Sequence, residues 1–420
     1  MKCRIVSSFG LALVLVFSLQ NSSSALAAQV EPSESDVLDV IVNYQNIVDS
    51  EWTDSTVSFS SSNTTDGERL VQHVRDGLID SGIKVTSASS NVRLLGMTYC
   101  EGGTMSVDAE VSTSKAYEVS GSSVGETTGL STDRHTFLLS CSGEGLSVLE
   151  DNEVDPIARE VAASNESPES EDSEGAVGSG VMSGDDSGAV AVANDPGAQN
   201  DSSYVADAAS SQPADYTIED MMLSKTKLVN YALEWTSSPY DTDEKSGFNP
   251  AFRYVSQNCT NFVSQALNAA GWRTISGPEF PPLIHNWDVW TNDNPPLIDL
   301  RDDEAKRNPD THNPSMTWIF ARHNYFHVTG RGFTPRYTGL DDLAQGDILY
   351  VDWDGGDQMN HAMIVTDVVG HQAFISQKDT NRSNFPLAES QLKAKEQGWD
   401  HPDWYPVTLP KPYSIPDANA

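Results

Sequence analysis

Apolar residues recur at helical spacing at Val37, Ile41, Tyr44 and Val48, and again between Leu70 and Leu78, which predicts two amphipathic helices early in the chain. The period then falls to that of a strand through Val92–Leu95, Met105–Val111 and His135–Leu139. Two helices followed by strands describe a small α+β domain over 29–150, and it holds one tryptophan, Trp52, with no His, Asp or Glu cluster at catalytic spacing. An accessory role is the expectation for it.

Both periods are lost over 151–215. That segment has 15 acidic side chains, one basic side chain and a single aromatic residue, Tyr204, among Ser, Gly and Ala. Such a composition buries too little apolar surface to offset the entropy of ordering, so it reads as a disordered, charge-extended acidic linker. Periodicity resumes in 216–413, which holds eight of the nine tryptophans. Leu223, Leu228, Tyr231 and Ala232 predict a helix over 224–234, and Pro239, Gly247 and Pro250 mark a loop. Positions 259, 262, 263, 266, 267 and 270 then share one helical face. Gly346–Trp353 reads as a strand, 354–357 as its turn, His361–Val369 as a second strand, and Gly370 as the reversal into a third, His371–Gln377. This makes 216–413 a second globular domain, with 414–420 as a tail.

With 61 acidic against 25 basic side chains, the net charge of −36 argues against binding nucleic acid. Residues 1–28 combine Lys2 and Arg4, the apolar run Leu11–Phe17 and the small-residue end Ala25–Ala28, the pattern of a secretory signal peptide. No later stretch approaches the roughly 20 apolar residues of a membrane helix, so the mature protein is expected outside the cytoplasm without a transmembrane segment. Removal of Cys3 leaves three thiols in a compartment that allows disulfides. Cys100 and Cys141 both end apolar runs and are the first choice for a bond, which leaves Cys259 as the odd thiol.

Cys259 falls in the first turn of its helix, with Asn258 as a suitable N-cap and Gly271 as a stop. Unpaired N–H groups and the helix dipole at that point favour a thiolate, and the same groups can receive an oxyanion beside the sulfur. His361 opens a strand. A hairpin pivoting on Gly370 sets Asp379 opposite it, and register slips of two leave Gln377 and Asn381 as alternatives for the residue that orients the ring. Asp352, Asp354 and Asp357 lack the spacing of a calcium loop, and His323 and His327 lack the glutamate of a zinc motif, so neither a metal nor a cofactor is expected.

Taken in order, Asn258-Cys259-Thr260-Asn261-Phe262-Val263-Ser264-Gln265-Ala266-Leu267, Ser315-Met316-Thr317-Trp318, Gly346-Asp347, Asn360-His361-Ala362-Met363-Ile364-Val365-Thr366 and Asp379-Thr380-Asn381-Arg382 resemble the secreted bacterial amidase-domain family. That family is similar to papain-like cell-wall peptidases of the NlpC and CHAP kind. The resemblance covers 216–413 and implies a helix packed on an antiparallel sheet, Cys259 as nucleophile, His361 as base and position 379 as the third member. The chain departs from the pattern in having Asp379 where the family often has His, and Asn258 where it usually has Asp.

The expected function is therefore a secreted cysteine amidase acting on a peptide, with peptidoglycan as the family-level substrate and wall association possible through 29–150. Acyl transfer by the same thiol chemistry and a catalytically inactive binding module are the alternatives. The aromatic positions Trp287, Trp290, Trp318 and Trp353 are candidates for a substrate groove or for ordinary core.

Overall fold

The stripe of Val37, Ile41, Tyr44 and Val48 lies on the buried face of a helix, α1 (Glu34–Thr53). The computed structural model describes residues 3–4, 32–53, 65–100, 103–142, 145–155, 157–158, 161, 223–238, 247–253, 255, 258–275, 289–292, 314–336, 339–356, 358–409 and 413–414. Contacts divide the chain into two compact units, 1–118 with 132–154, and 119–131 with 155–420.

In the first unit α2 (Asp66–Asp80) begins at a capping box. The Glu68 N–H donates to the Thr65 hydroxyl and the Thr65 N–H donates to the Glu68 carboxylate. The strands are β1 (Cys3–Arg4), β2 (Ile83–Cys100), β3 (Thr104–Val119), β4 (Thr127–Ser142) and β5 (Gly145–Glu153), in the order β1-β2-β3-β4 with β5 antiparallel on β4. Alternate residues Met105, Val107, Ala109 and Val111 of β3, with Phe137 and Leu139 of β4, meet the α1 stripe in one core. Each of the larger of these side chains contributes roughly 1.5–3 kcal/mol when fully buried.

Two expectations change here. No disulfide forms among the described residues: Cys141 is a thiol whose pKa burial pushes up. The sheet order explains this, because β3 lies between the strands that end in Cys100 and Cys141, and neighbouring strands are already about 4.8 Å apart. The side chain of Cys100 lies outside the described residues. The strand β5 also runs to Glu153, so the first residues of the expected linker are ordered. Asp151 is buried and its carboxylate fills the space beside Gly67, where a Cβ would stand 2.5 Å from Oδ2.

The second unit contains β6 (Leu223–Ser224), α3 (Lys225–Thr236), α4 (Cys259–Ala269), α5 (Met316–Ile319), α6 (Ala321–Gly330), β7 (Thr334–Pro335), β8 (Ile348–Asp352), β9 (His361–Val369), β10 (Gln372–Gln377), β11 (Arg382–Pro386), α7 (Leu387–Glu396), β12 (Asp403–Thr408) and β13 (Tyr413–Ser414). Its sheet runs β11-β10-β9-β8-β12-β7 with antiparallel neighbours. Along β8 and β9 the pleat sends Ile348, Tyr350, Ala362 and Ile364 into a core with Phe262, Val263, Ala266 and Leu267 of α4. Leu349, Val351, Met363 and Val365 enter another, with Phe385, Leu387 and Ala394. Burial on both faces is why these strands read as unbroken apolar runs instead of alternating ones.

Residues 119–131 and 155–161 fall in this unit, not in the accessory domain or the linker as composition suggested. Leu130 and Ser131 pair with Ser383 and Arg382, Ile157 and Val161 enter the core beside α7, and the Trp399 indole donates to Asp155 at 3.1 Å. A few apolar residues in an acidic stretch are enough to dock it. The remainder of the expected linker, 162–215, lies outside the described residues, as do 216–222 of the second domain and most of 1–28.

The His135 imidazole stands 2.7 Å from Asp151 and stacks on Phe137. Burial works against its charged form, but Asp151, with Glu153 and Asp133, overrides that and raises its pKa above the ordinary 6.5. A raised folded-state pKa stabilises below the unfolded value and the gain is lost as pH rises through the folded one. Urea unfolding of the full chain should therefore show stability falling as pH rises above the ordinary 6.5 of the imidazole, and His135→Gln should flatten that dependence.

Candidate active site

The helix α4 presents Phe262, Val263, Ala266 and Leu267 to the core and packs against β9, α3 and α5. It stops at Gly271, whose φ of +110° is left-handed. The Trp272 N–H donates to Leu267 O at 2.9 Å and the Gly271 N–H to Asn268 O at 3.0 Å, the Schellman pattern that a glycine at this point permits.

Asn261, Ser264 and Gln265 of the same helix are as buried as its apolar residues, and each has a partner. The Trp318 indole donates to Asn261 Oδ1 at 2.7 Å, and the Asn261 amide donates to Asn258 Oδ1 at 2.7 Å. Ser264 donates to Trp318 O at 2.8 Å and receives from Asn324 at 3.0 Å, while Asn324 receives from the Tyr350 hydroxyl. Tyr231 donates to Gln265 at 2.6 Å. These bonds account for Asn261, Ser264, Gln265 and Trp318 in the sequence pattern: they fix the rotation of α4 about its axis, and so the direction of its first residue.

That first residue is Cys259, 5 % exposed, with Sγ 3.7 Å from the Thr260 hydroxyl. Asn258 precedes it, but its side chain does not cap the helix; its φ of −106° and ψ of −8° and the bond from Asn261 turn the carboxamide inward. The cap comes from 120 residues away. The Asn258 N–H donates to Asp379 Oδ1 at 2.7 Å and the Cys259 N–H to Asp379 Oδ2 at 2.9 Å, two charge-assisted bonds on one carboxylate.

The register arithmetic explains how Asp379 arrives there. Ile375 pairs with Val365 and Ser376 with Ile364, a register that, if continued, would set Asp379 opposite His361. The ladder stops first. β10 ends at Gln377, residues 378–381 turn away, and Asp379 takes a left-handed φ of +83°.

His361 is fully buried, pairs with Val351 across the ladder, shares the parity of Met363 and Val365, and has the Trp353 ring centred 6.4 Å away. Burial pushes its pKa down to about 4; hydrogen bonding with the Gln377 side chain opposes this and the Arg382 charge adds to it. The imidazole is neutral at pH 7. The three candidates for its partner thus separate: Gln377 lies beside the ring, Asp379 reaches the start of α4, and Asn381 donates to Thr236 O and Ser238 O at 2.9 and 3.0 Å, tying the turn to the end of α3. The end of β10 and its turn therefore carry, two positions apart, the side chain beside the imidazole and the one bonded to the start of α4. Arg382 and Trp353, which the sequence did not single out as neighbours of His361, are part of its surroundings.

The turn before His361 is built by the aspartates once weighed as calcium ligands. Asp352 is buried and accepts from the Gly355 and Gln358 N–H groups, both at 3.0 Å; burial and the neighbouring Asp354 raise its pKa to about 6. Asn360 donates to Asp354 and accepts from the Trp353 N–H, both at 3.1 Å. Asp357 lies outside the described residues. Among the described residues no group of three His, Cys, Asp or Glu side chains is arranged to hold a metal. Trp290, Trp318 and Trp353 belong to the buried cores, not to a groove, and His327 stacks on Trp290; Trp287 lies outside the described residues.

Because the Trp318 indole is the donor to a buried amide oxygen, Trp318→Phe should cost about 1–3 kcal/mol in urea unfolding, with α4 its focus. Loss of amide-exchange protection in 259–269 ahead of the rest of the unit would mark that focus.

Residues 223–399 match a protein-family model described as "Putative amidase domain". The match supports an amidase-like family for that part of the chain and, at that level, amide hydrolysis. A comparison with curated proteins gives no match. Among solved structures, the intermembrane space region of chloroplast protein ARC6 aligns at 10 % identity over 30 % of this chain and 98 % of that one, with a TM-score of 0.22, too low to bear on fold or function.

Proposed function

We propose that the chain is a secreted, cysteine-dependent amidase with a papain-like catalytic domain, acting on cell-wall peptide. The observation that carries the reading is the placing of Cys259 at the buried start of α4, within the amidase-matching region, while burial keeps His361 in the neutral form a base requires. In this mechanism His361 takes the Cys259 proton and the thiolate attacks the amide carbonyl. The tetrahedral oxyanion is received by N–H groups at the helix start. The proton passes from His361 to the leaving amine, and water releases the acyl group as a carboxylic acid with the thiol restored. Gln377 is the positioning residue for the ring. Residues 29–150 serve attachment to the wall.

The test is release of free amines from purified peptidoglycan. Cys259→Ala should lower turnover by a factor of about 10³ or more with the urea midpoint unchanged. The acid limb of kcat/KM should fall near pH 4, where His361 gains its proton, and not near 6.5. Peptidoglycan binding without amine release by the unaltered protein would instead mark a binding module, and a new amide among the products would mark acyl transfer.

A further inference from the structure

The groups that a cysteine amidase needs for its oxyanion are already filled. Both N–H groups at the start of α4 donate to the Asp379 carboxylate, at 2.7 and 2.9 Å, and the one on Cys259 belongs to the nucleophile's own residue. A tetrahedral intermediate on the sulfur would turn its oxygen toward the same donors. The carboxylate also stands on the backbone N–H of the residue whose thiolate would form, and a like charge close to an acidic group disfavours its ionisation.

The turn that delivers this carboxylate is held at a cost. Asp379 has the left-handed φ of +83°, which glycine adopts freely and Asp or Asn adopts at some cost. In the same turn the buried Thr380 hydroxyl and Asn381 Oδ1 have no hydrogen-bond partner among the described residues. Asn258, whose N–H it accepts from, carries no charge of its own. A strained turn with two unsatisfied oxygens, closing a charge onto the catalytic donors, is the description of a latch.

Resting on the amidase reading, we propose that Asp379 is a built-in competitor of the oxyanion: with its carboxylate on the helix start the site is latent, and substrate or a partner must displace the 378–381 turn before Cys259 reacts. This assigns Asp379 to control of the helix start and leaves the orienting of His361 to Gln377. The two roles predict opposite signs on substitution. An orienting carboxylate makes its variants less reactive, whereas a latch makes them more so.

The experiment alkylates Cys259 with iodoacetamide in the folded full chain at pH 7, quantified by peptide mapping, for the unaltered protein, Asp379→Gly, Asp379→Asn and His361→Ala. Glycine suits the left-handed backbone and asparagine tolerates it, so both variants should fold, as circular dichroism checks. Alkylation should accelerate about tenfold or more in Asp379→Gly, and to a lesser degree in Asp379→Asn, which keeps an acceptor oxygen but not the charge. Millimolar acetate should slow Asp379→Gly back toward the original rate by refilling the vacated donors, and should leave the unaltered protein unchanged. Slower alkylation in both Asp379 variants, parallel to His361→Ala, overturns the latch and makes Asp379 a part of the reaction. An unchanged rate with no acetate effect also overturns it and leaves a plain helix cap. Indifference of the unaltered protein to His361→Ala would instead count against the amidase reading, while acetate protection of the glycine variant would still report on the latch.

Discussion

Two backbone N–H groups, those of Asn258 and Cys259, have to find acceptors where both residues are buried, and the arrangement around the thiol follows from how that need is met. Leaving a buried donor unsatisfied costs about 1–3 kcal/mol, so a helix start enclosed in protein requires a cap from somewhere. The neighbouring Asn258 side chain is committed to Asn261, and Asp379 supplies both bonds instead. To do so the chain must leave the sheet straight after Gln377 and bend through a left-handed residue. Gln377, still in the ladder, lies beside His361, and the carboxylate two residues on reaches the helix.

The helix itself is held by two different kinds of contact. Its apolar stripe gives it a place on the sheet, but an apolar contact is tolerant of rotation. The bonds of Asn261, Ser264 and Gln265 to Trp318, Asn324 and Tyr231 are directional and remove that freedom. The sheet beneath is enclosed on its second face by α7 with Ile157 and Val161, and the burial of His361 lowers its pKa.

Much of this was legible in the chain. The spacing of Val37, Ile41, Tyr44 and Val48 marked α1, the apolar run from His361 to Val369 matched β9 end for end, and Gly271 stopped α4 as expected. What periodicity could not supply was anything that depends on partners distant in sequence. The cap on α4 looked local because Asn is a good cap, yet the competing bond from Asn261 took its side chain. Asp379 was placed by extending a ladder that in fact ends two residues earlier, since nothing in Lys378-Asp379-Thr380 announces a turn. The tryptophans read as possible groove residues because composition does not distinguish an aromatic rim from an aromatic core. The tip at 119–131 and the residues 155–161 were assigned by continuity of the chain, whereas backbone pairing with β11 and burial beside α7 decide where they sit.

The central claim is that Cys259 is a nucleophile that forms an acyl intermediate with help from His361. Its most direct measurement is a pre-steady-state reaction of the full chain with p-nitrophenyl acetate, quenched in acid and mapped by mass spectrometry. The claim requires a burst of nitrophenol stoichiometric with protein, the mass of one acetyl group on the peptide containing Cys259, and loss of both in His361→Ala. Linear nitrophenol release without a burst, with that peptide unmodified, would contradict it.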